Sequence, residues 1–161
     1  MTESNITRRE LLAALATRAL PALMLGVALP DLAHVGGVPG ITVYKDPSCG
    51  CCTKWVEHLR TAGLRPTTFD RADMDALKDS LGVPASLRSC HTAVAGKYVI
   101  EGHVPAADLR RLLARAPKGV LGIAVPGMPA GSPGMEMGGR ADRYDVIAFS
   151  ANGKTSVFAR H

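Results

Sequence analysis

The spacing of hydrophobic residues changes from strand-like to helix-like shortly after residue 40. Residues 41–44 form a short β-branched and aromatic run that is typical of a strand. From residue 49 to residue 62 the apolar side chains recur at helical spacing, and Gly63 is placed to end that helix in a left-handed conformation. A strand followed at once by a helix is therefore predicted here.

The next part of the chain predicts three more strands and two more helices. These are strands at 66–69, 91–95 and 98–100, a helix at 73–81, and a helix that begins at Pro105 and ends before Pro117. Met74, Leu77 and Leu81 are expected to form the apolar face of the middle helix. The order β-α-β-α-β-β-α, with the last two strands as a hairpin, predicts an α/β protein with a thioredoxin-like fold.

The C-terminal part of the chain has a different character. It is predicted to contain an apolar segment at 120–125, a Gly/Pro/Met loop at 126–139, and strands at 144–149 and 155–159. Asn152 and Gly153 between the two strands favour a tight turn. We therefore expect a C-terminal β-hairpin extension to the thioredoxin-like fold.

Residues 1–28 are predicted to be an export signal rather than part of the fold. The pair Arg8 and Arg9 precedes a mainly apolar stretch, which is typical of twin-arginine signals. Cleavage is expected after Ala28, and Ala33 is a second candidate site. Arg18 interrupts the stretch, so a stable membrane span is not expected. An uncleaved anchor or a cytosolic amphipathic helix remains an alternative. The predicted organisation is a signal at 1–28, a linker at 29–40 and one domain at 41–161, located in the periplasm.

Composition narrows the class of protein further. The chain has 161 residues, of which 47% are hydrophobic and 20% charged, so it can bury a core. The formal net charge is +5, but the basic residues are scattered and form no stripe. Nucleic-acid binding would require a clustered basic face and is not expected.

Three cysteines lie where the first strand passes into the first helix. Cys49 and Cys52 form a C-x-x-C pair, and Cys51 lies between them. Unpaired N–H groups and the helix dipole at such a position stabilise a thiolate, which is the form that attacks disulfides or binds metals. The alternative is a structural disulfide, which an oxidising compartment favours.

Cys90 is the fourth cysteine, and it comes just before the predicted third strand. In thioredoxin-like folds the loop before that strand lies against the C-x-x-C motif. We therefore expect Cys90 and His91 to approach Cys49, Cys51 and Cys52, although about forty residues separate them.

Methionine and histidine supply further candidate ligands. Met128, Met135 and Met137 lie in a glycine-rich loop, where burial in a core is hard to arrange. Thiolate and thioether together select Cu(I) over harder ions. His103, just before the last helix, is either a ligand or a loop residue. The other histidines are expected at the surface or at the chain end: His34, His58 and His161.

From about residue 41 to residue 161 the chain resembles the CopG-type copper-resistance proteins of bacterial periplasms. The matching segments are 44–52, 89–92, 101–105 and the Pro-Gly-Met loop. The resemblance implies a thioredoxin-like fold, copper binding at a cysteine-rich cluster and a redox role in copper tolerance. It makes Cys49, Cys51, Cys52 and Cys90 the core ligands, with His103, Met135 and Met137 as further candidates.

Three functions follow from these residues. The first is a periplasmic protein that holds more than one Cu(I), with copper ions and other periplasmic copper-handling proteins as partners. The second is a thiol-disulfide oxidoreductase, in which Cys49 attacks and Cys52 resolves the mixed disulfide. Cys51 argues against that enzyme because a third thiol invites wrong disulfides. The third is a structural zinc module, which lacks the paired cysteines expected of zinc ribbons.

Overall fold

A computed structural model describes residues 39–161 as one mixed sheet with three helices. The seven strands are β1 Ile41–Lys45, β2 Pro66–Asp70, β3 His91–Ala95, β4 Tyr98–Glu101, β5 Gly122–Ala124, β6 Asp145–Phe149 and β7 Thr155–Arg160. The helices are α1 Gly50–Thr61, α2 Met74–Ser80 and α3 Ala106–Arg115, with a short 3-10 turn at Ala85–Leu87. The predicted export signal at 1–28 and residues 29–38 of the predicted linker lie outside the described residues. Within 39–161 no helix is long and apolar enough to cross a membrane.

The predicted order β-α-β-α-β-β-α is confirmed for the first seven of these elements. Helix α1 ends where Gly63 adopts the left-handed conformation, with φ +76°. Its neighbour Ala62 closes the last turn by donating its amide to His58 O at 3.1 Å. These boundaries depend on local turn chemistry, which is why the sequence pattern locates them.

The strands lie in the order β2-β1-β3-β4-β5-β6-β7. Strand β1 pairs parallel with β2 and antiparallel with β3, and β3 and β4 form the predicted hairpin. In the β1–β3 ladder Lys45 faces His91, so the end of β1 lies beside the start of β3. The segment that follows β1 and the segment that precedes β3 therefore meet where these two neighbouring strands end.

The predicted C-terminal hairpin is confirmed, but it belongs to the main sheet. Residues 120–125 were expected only as an apolar segment, and Gly122–Ala124 within them forms strand β5. This strand pairs parallel with β4 and antiparallel with β6, so it joins the hairpin to the rest of the sheet. All three of its residues are buried, and a strand buried on both faces shows no alternation that would identify it.

The two faces of the sheet have separate apolar cores. On one face Ile100 and Ile123 pack with Trp55 of α1 and Leu109 of α3. On the other face lies a smaller cluster formed by Val83, Leu87, Val99, Ala124 and Phe149. Because successive strand residues point to opposite faces, neighbours such as Val99 and Ile100 belong to different cores.

The predicted apolar face of helix α2 is wrong in one respect. Met74, Leu77 and Leu81 are only half-buried, whereas Lys78 is the residue of this helix that is buried. Its ammonium group reaches the carboxylate of Glu101 at the end of β4. Helical periodicity ranks lysine as a surface residue and so does not reveal a buried cation paired across the sheet.

Candidate metal centre

A tight turn between β1 and α1 positions the first cysteine. The Asp46 carboxylate accepts the Ser48 amide at 2.8 Å, and the Asp46 carbonyl accepts the Cys49 amide at 3.1 Å. The hydrogen bonds from Ser48 lower the pKa of Asp46 below its usual value. Cys49 thus becomes the residue that precedes α1, and its side chain makes no capping bond to the helix.

Cys49 and Cys52 are joined by a disulfide, and Cys52 is fully buried. This is the state that the structural-disulfide alternative describes. Cys51 carries a free thiol, and its Sγ lies 3.5 Å from Cys49 Sγ. A third sulfur is therefore in contact with the oxidised pair.

Cys90 completes the group from the segment before β3. Its Sγ lies 3.9 Å from Cys51 Sγ, across 39 positions of sequence. The Sγ atoms of the four cysteines all lie within 4.8 Å of one another. The predicted approach of Cys90 to the other three cysteines is confirmed, and the pairing of Lys45 with His91 explains it.

Two buried histidines converge on Cys90. His91 Nδ1 lies 3.3 Å from Cys90 Sγ, and His103 Nε2 lies 3.1 Å from the same sulfur. The three ligand atoms lie within 4.8 Å of one another, so Cys90 belongs both to the four-cysteine group and to a Cys-His-His group. Within residues 39–161 nothing forms a hydrogen bond with His91 Nε2.

Burial favours the uncharged forms of three side chains at this centre, Cys90, His91 and His103. Burial, together with the smaller effect of the neighbouring Cys51 thiol, raises the pKa of the Cys90 thiol to about 12. It also lowers the pKa of His91 well below the ordinary value, and nearby His103 acts in the same direction. The pKa of His103 is likewise lowered by burial. Neutral imidazoles can bind a metal, and a metal ion displaces the proton of a thiol.

Trp55 supports the centre from α1, a role that the sequence did not indicate. Its ring centroid lies 4.4 Å from that of His91, and its Nε1–H donates to Val104 O at 2.8 Å. The sequence showed only an apolar residue on the buried side of α1. The signal available was the indole N–H itself, which needs an acceptor when it is buried.

The Gly/Pro/Met loop lies against the first turn of α1. A Cβ at Gly134 would come within 2.9 Å of Cys51 O and 2.8 Å of Trp55 N, and the φ of Gly134 is +87°. The adjacent Pro133 carbonyl lies 2.8 Å from His103 Nδ1. Residues 133 and 134 therefore connect the loop both to the cysteine helix and to the buried histidine.

The methionines of this loop differ in their exposure. Met135 is half-buried and follows directly after Gly134. Met137 is 76% exposed and Met128 is 52% exposed, so both thioethers lie largely in solvent. The structure thus places Met135 next to the loop segment that contacts α1, and it does not pack Met137 among the cysteines.

Two histidines predicted to be exposed at the surface or chain end are in fact held by hydrogen bonds. His58 Nε2 accepts the Ala106 amide at the start of α3 at 3.1 Å. His161 Nε2 lies 2.7 Å from the Asp108 carboxylate, and its ring stacks on Tyr144. Each is fixed by a partner about fifty positions away in sequence, which local pattern does not reveal.

Comparison with known proteins places these residues in a family. Residues 87–135 match the family described as protein of unknown function DUF411. No curated protein matches the chain. Two solved structures, described as copper resistance protein CopG in form 1 and form 2, are each 48% identical with a TM-score of 0.72. The matches cover 77% and 76% of this chain, respectively, and 98% of each of those chains. The chain therefore belongs to the CopG family of copper resistance proteins.

Proposed function

We propose that this protein binds Cu(I) in the bacterial periplasm as part of copper resistance, and that Cys49, Cys51, Cys52 and Cys90 hold the metal. The observation that carries the proposal is the convergence of four sulfur atoms within 4.8 Å of one another. Soft sulfur ligands select Cu(I) over harder cations. Copper is the cargo of this site rather than a resident cofactor, and the names of the similar structures support the same metal.

The buried imidazoles extend the donor set. His103 and His91 both reach Cys90 Sγ. The second ring nitrogen of His91, Nε2, is buried and forms no hydrogen bond within the described region. Because a thiolate sulfur can bridge two metals, four cysteines and these histidines support more than one Cu(I) per chain. Met135 is the methionine best placed to add a thioether, and Met137 would have to move inward to do so.

The disulfide adds a redox step to this function. Cys49 and Cys52 cannot act as thiolate ligands while they are bonded to each other. Starting from the reduced protein, two Cu(II) ions each take one electron from this pair of thiolates, which gives two Cu(I) and the disulfide. Cys51 and Cys90 remain free thiols in that state and can retain Cu(I).

The strand order and the export signal complete the proposal. Parallel β1 and β2, with antiparallel β3 and β4 on the other side of β1, support a thioredoxin-like arrangement. The paired Arg8 and Arg9 support export by the twin-arginine pathway, with cleavage after Ala28. A disulfide is a normal state in the periplasm, where thiols are oxidised.

Titration of the reduced protein with Cu(I) under anaerobic conditions tests the binding function. In competition with a chromophoric Cu(I) chelator, we expect the reduced protein to bind more than one Cu(I) per chain. The Cys51→Ser variant should bind fewer Cu(I) per chain. The matched control is the wild-type chain with its Cys49–Cys52 disulfide intact, which should bind less copper. Full stoichiometry and affinity in both the variant and the oxidised control would refute the cluster.

The redox step has its own test. Cu(II) added anaerobically to the reduced protein should consume two thiols for every two Cu(I) formed, and peptide mass analysis should find Cys49 linked to Cys52. Cu(I) formation without loss of these thiols would refute the coupling.

The second candidate function is a thiol-disulfide oxidoreductase, and the observed disulfide at the start of α1 favours it. In that function the Cys49 thiolate attacks a substrate disulfide, and Cys52 then releases the substrate thiol and forms the observed bond. Insulin reduction by the chain with Cys51→Ser and Cys90→Ser distinguishes the two. Activity equal to that of wild type would favour the oxidoreductase.

A further inference from the structure

A buried ion pair lies beneath the segment that carries Cys90. Lys78 of α2 is 3% exposed, Glu101 at the end of β4 is fully buried, and Lys78 Nζ donates to Glu101 Oε1. Removing two charges from water is costly, and apolar residues of similar size often stabilise a fold equally well. Stability alone therefore gives little reason for this pair.

The Glu101 carboxylate joins three parts of the chain. Besides Lys78, it accepts the Ser89 amide at 2.7 Å and the Thr92 hydroxyl at 2.7 Å. Lys78 Nζ also donates to Thr92 Oγ1 at 3.0 Å. Hydrogen bonds to an ionised group in a buried site are strong and directional, so this carboxylate fixes the position of the Ser89 backbone.

Ser89 is held on its other sides as well. Its hydroxyl donates to the Gly127 carbonyl of the Gly/Pro/Met loop. A Cβ at Gly102 would lie 2.6 Å from Ser89 Cβ, so the chain after Glu101 leaves no space for Ser89 to shift toward it. Cys90 is the next residue, and its Sγ lies 3.9 Å from Cys51 Sγ. The direction of the Cys90 side chain thus depends on the anchored Ser89 amide.

We propose that Glu101, with its charge balanced by Lys78, is a positioning residue that holds Cys90 Sγ against Cys51 Sγ. Ala93 and Ile100 face the core on the α1 side of the sheet. Their strand neighbours Thr92 and Glu101 therefore point to the opposite face, from which the ion pair holds the segment 89–90. Its effect on copper binding rests on the proposed function, whereas the positioning itself can be measured without metal.

The metal-free test uses Cys49→Ser with Cys52→Ser, which leaves only Cys51 and Cys90. The Cys51 thiolate attacks oxidised glutathione and releases one glutathione thiol; Cys90 then attacks the Cys51 sulfur of the mixed disulfide and releases the second. At equilibrium, the ratio of oxidised to reduced protein, multiplied by the square of the reduced glutathione concentration and divided by the oxidised glutathione concentration, gives the effective concentration of the two protein thiols. Failure of this parent protein to form the Cys51–Cys90 bond would overturn the proposal.

Two sets of substitutions in that parent separate positioning from charge. Lys78→Met with Thr92→Val and Glu101→Leu makes the site apolar and removes the acceptor for the Ser89 amide. Lys78→Met with Glu101→Gln also removes both charges but keeps a carbonyl oxygen for Ser89 and an amide donor for Thr92. We expect the apolar set to lower the effective concentration by about tenfold or more, since small misplacements of a reacting group are costly. The Gln set should restore it to within about threefold of the parent.

The control removes a different ion pair, one that also contains a buried carboxylate. Asp108 bonds to Arg111 at 2.6 Å and to His161 at 2.7 Å rather than to the Cys90 segment, so Asp108→Leu with Arg111→Met should leave the thiol equilibrium unchanged. Circular dichroism and the fluorescence of the single tryptophan, Trp55, verify folding. An effective concentration equal to the parent's in the folded apolar variant overturns the proposal, and so does an equal loss in the Asp108 control.

A copper titration in the chain with all four cysteines keeps the two proposals apart. If wild type binds no Cu(I), the proposed function fails while the thiol equilibrium still reports on positioning. If wild type binds Cu(I) and the apolar variant binds it equally well, the role of Glu101 at the copper site is wrong and the binding function stands.

Discussion

Cys90 Sγ lies 3.1 Å from His103 Nε2, and the other nitrogen of the same imidazole lies 2.8 Å from Pro133 O. One buried ring therefore connects the thiol before β3 to the Gly/Pro/Met loop. The next residue of that loop, Gly134, packs against the backbone of α1 at Cys51. The cysteine group and the loop thus form one connected structure, and a change in either should affect the other.

Replacement of Cys90 should weaken copper binding more than it weakens the fold. Cys90→Ser removes the sulfur that links the four-cysteine group to the two histidines. We expect Cu(I) affinity to fall by more than about tenfold, because even loss of a group that only supports a ligand costs that much. Competition with a Cu(I) chelator measures the change, and thermal unfolding monitored by circular dichroism serves as the folding control. Unchanged affinity for Cu(I) would show that Cys90 is not a copper ligand.

Gly134 should be intolerant of a side chain because of its contact with α1. Gly134→Ala would place a Cβ 2.8 Å from Trp55 N at a φ of +87°, so we expect a loss of about 2 kcal/mol or more in the free energy of unfolding. Gly138→Ala is the matched control, since its φ is +72° and nothing lies within 4 Å of the new Cβ. That control should lose only about 1 kcal/mol. Equal losses in urea denaturation would show that the loop is not packed against α1.

His58 should make the fold sensitive to acid. Burial lowers the pKa of His58, an effect that nearby Glu136 partly opposes, and the neutral ring accepts the Ala106 amide. The unfolded chain then takes up this proton at a higher pH than the folded chain does. The stabilisation is therefore fully present above the ordinary histidine pKa of about 6.5 and is lost as the pH falls through the lower folded value.

The comparison is with His58→Gln, which keeps an acceptor for Ala106 and does not titrate. Because the pKa values of His91 and His103 are also lowered, both proteins should lose stability in acid, and the informative quantity is the difference between them. We expect wild type to lose more than the variant between about pH 7 and about pH 5. Parallel stability curves over this range would contradict the role of His58.

The chain end should contribute to stability but not to metal binding. His161 bonds to buried Asp108 and stacks on Tyr144, so His161→Ala should lower the free energy of unfolding by about 1 kcal/mol. Arg160→Ala is a suitable control, because Arg160 is 78% exposed and its pair with Asp145 is 3.8 Å long; it should cost about 0.5 kcal/mol or less. Cu(I) stoichiometry should be unchanged in both. Fewer Cu(I) bound per chain in His161→Ala would show that His161 is a copper ligand.

The element order and the C-x-C-C motif could be predicted because they depend on residues close together in sequence. Strand β1, helix α1 and its end at Gly63 follow from local spacing and turn chemistry, and the thioredoxin-like order of elements led to the predicted approach of Cys90. Strand β5 was not identified, since a short strand buried on both faces lacks alternation. The burial of Lys78 was missed because its partner Glu101 lies 23 positions away.

By itself, then, the sequence determined every strand and helix except β5, and which residues carry sulfur. The tertiary structure alone decided that Cys49 is bonded to Cys52, that His91 and His103 meet at Cys90, and that Met137 stays in solvent. The physical reason is that secondary structure depends on neighbours within a few positions, whereas the centre depends on strand register and on burial. Those two properties exist only once the sheet has formed.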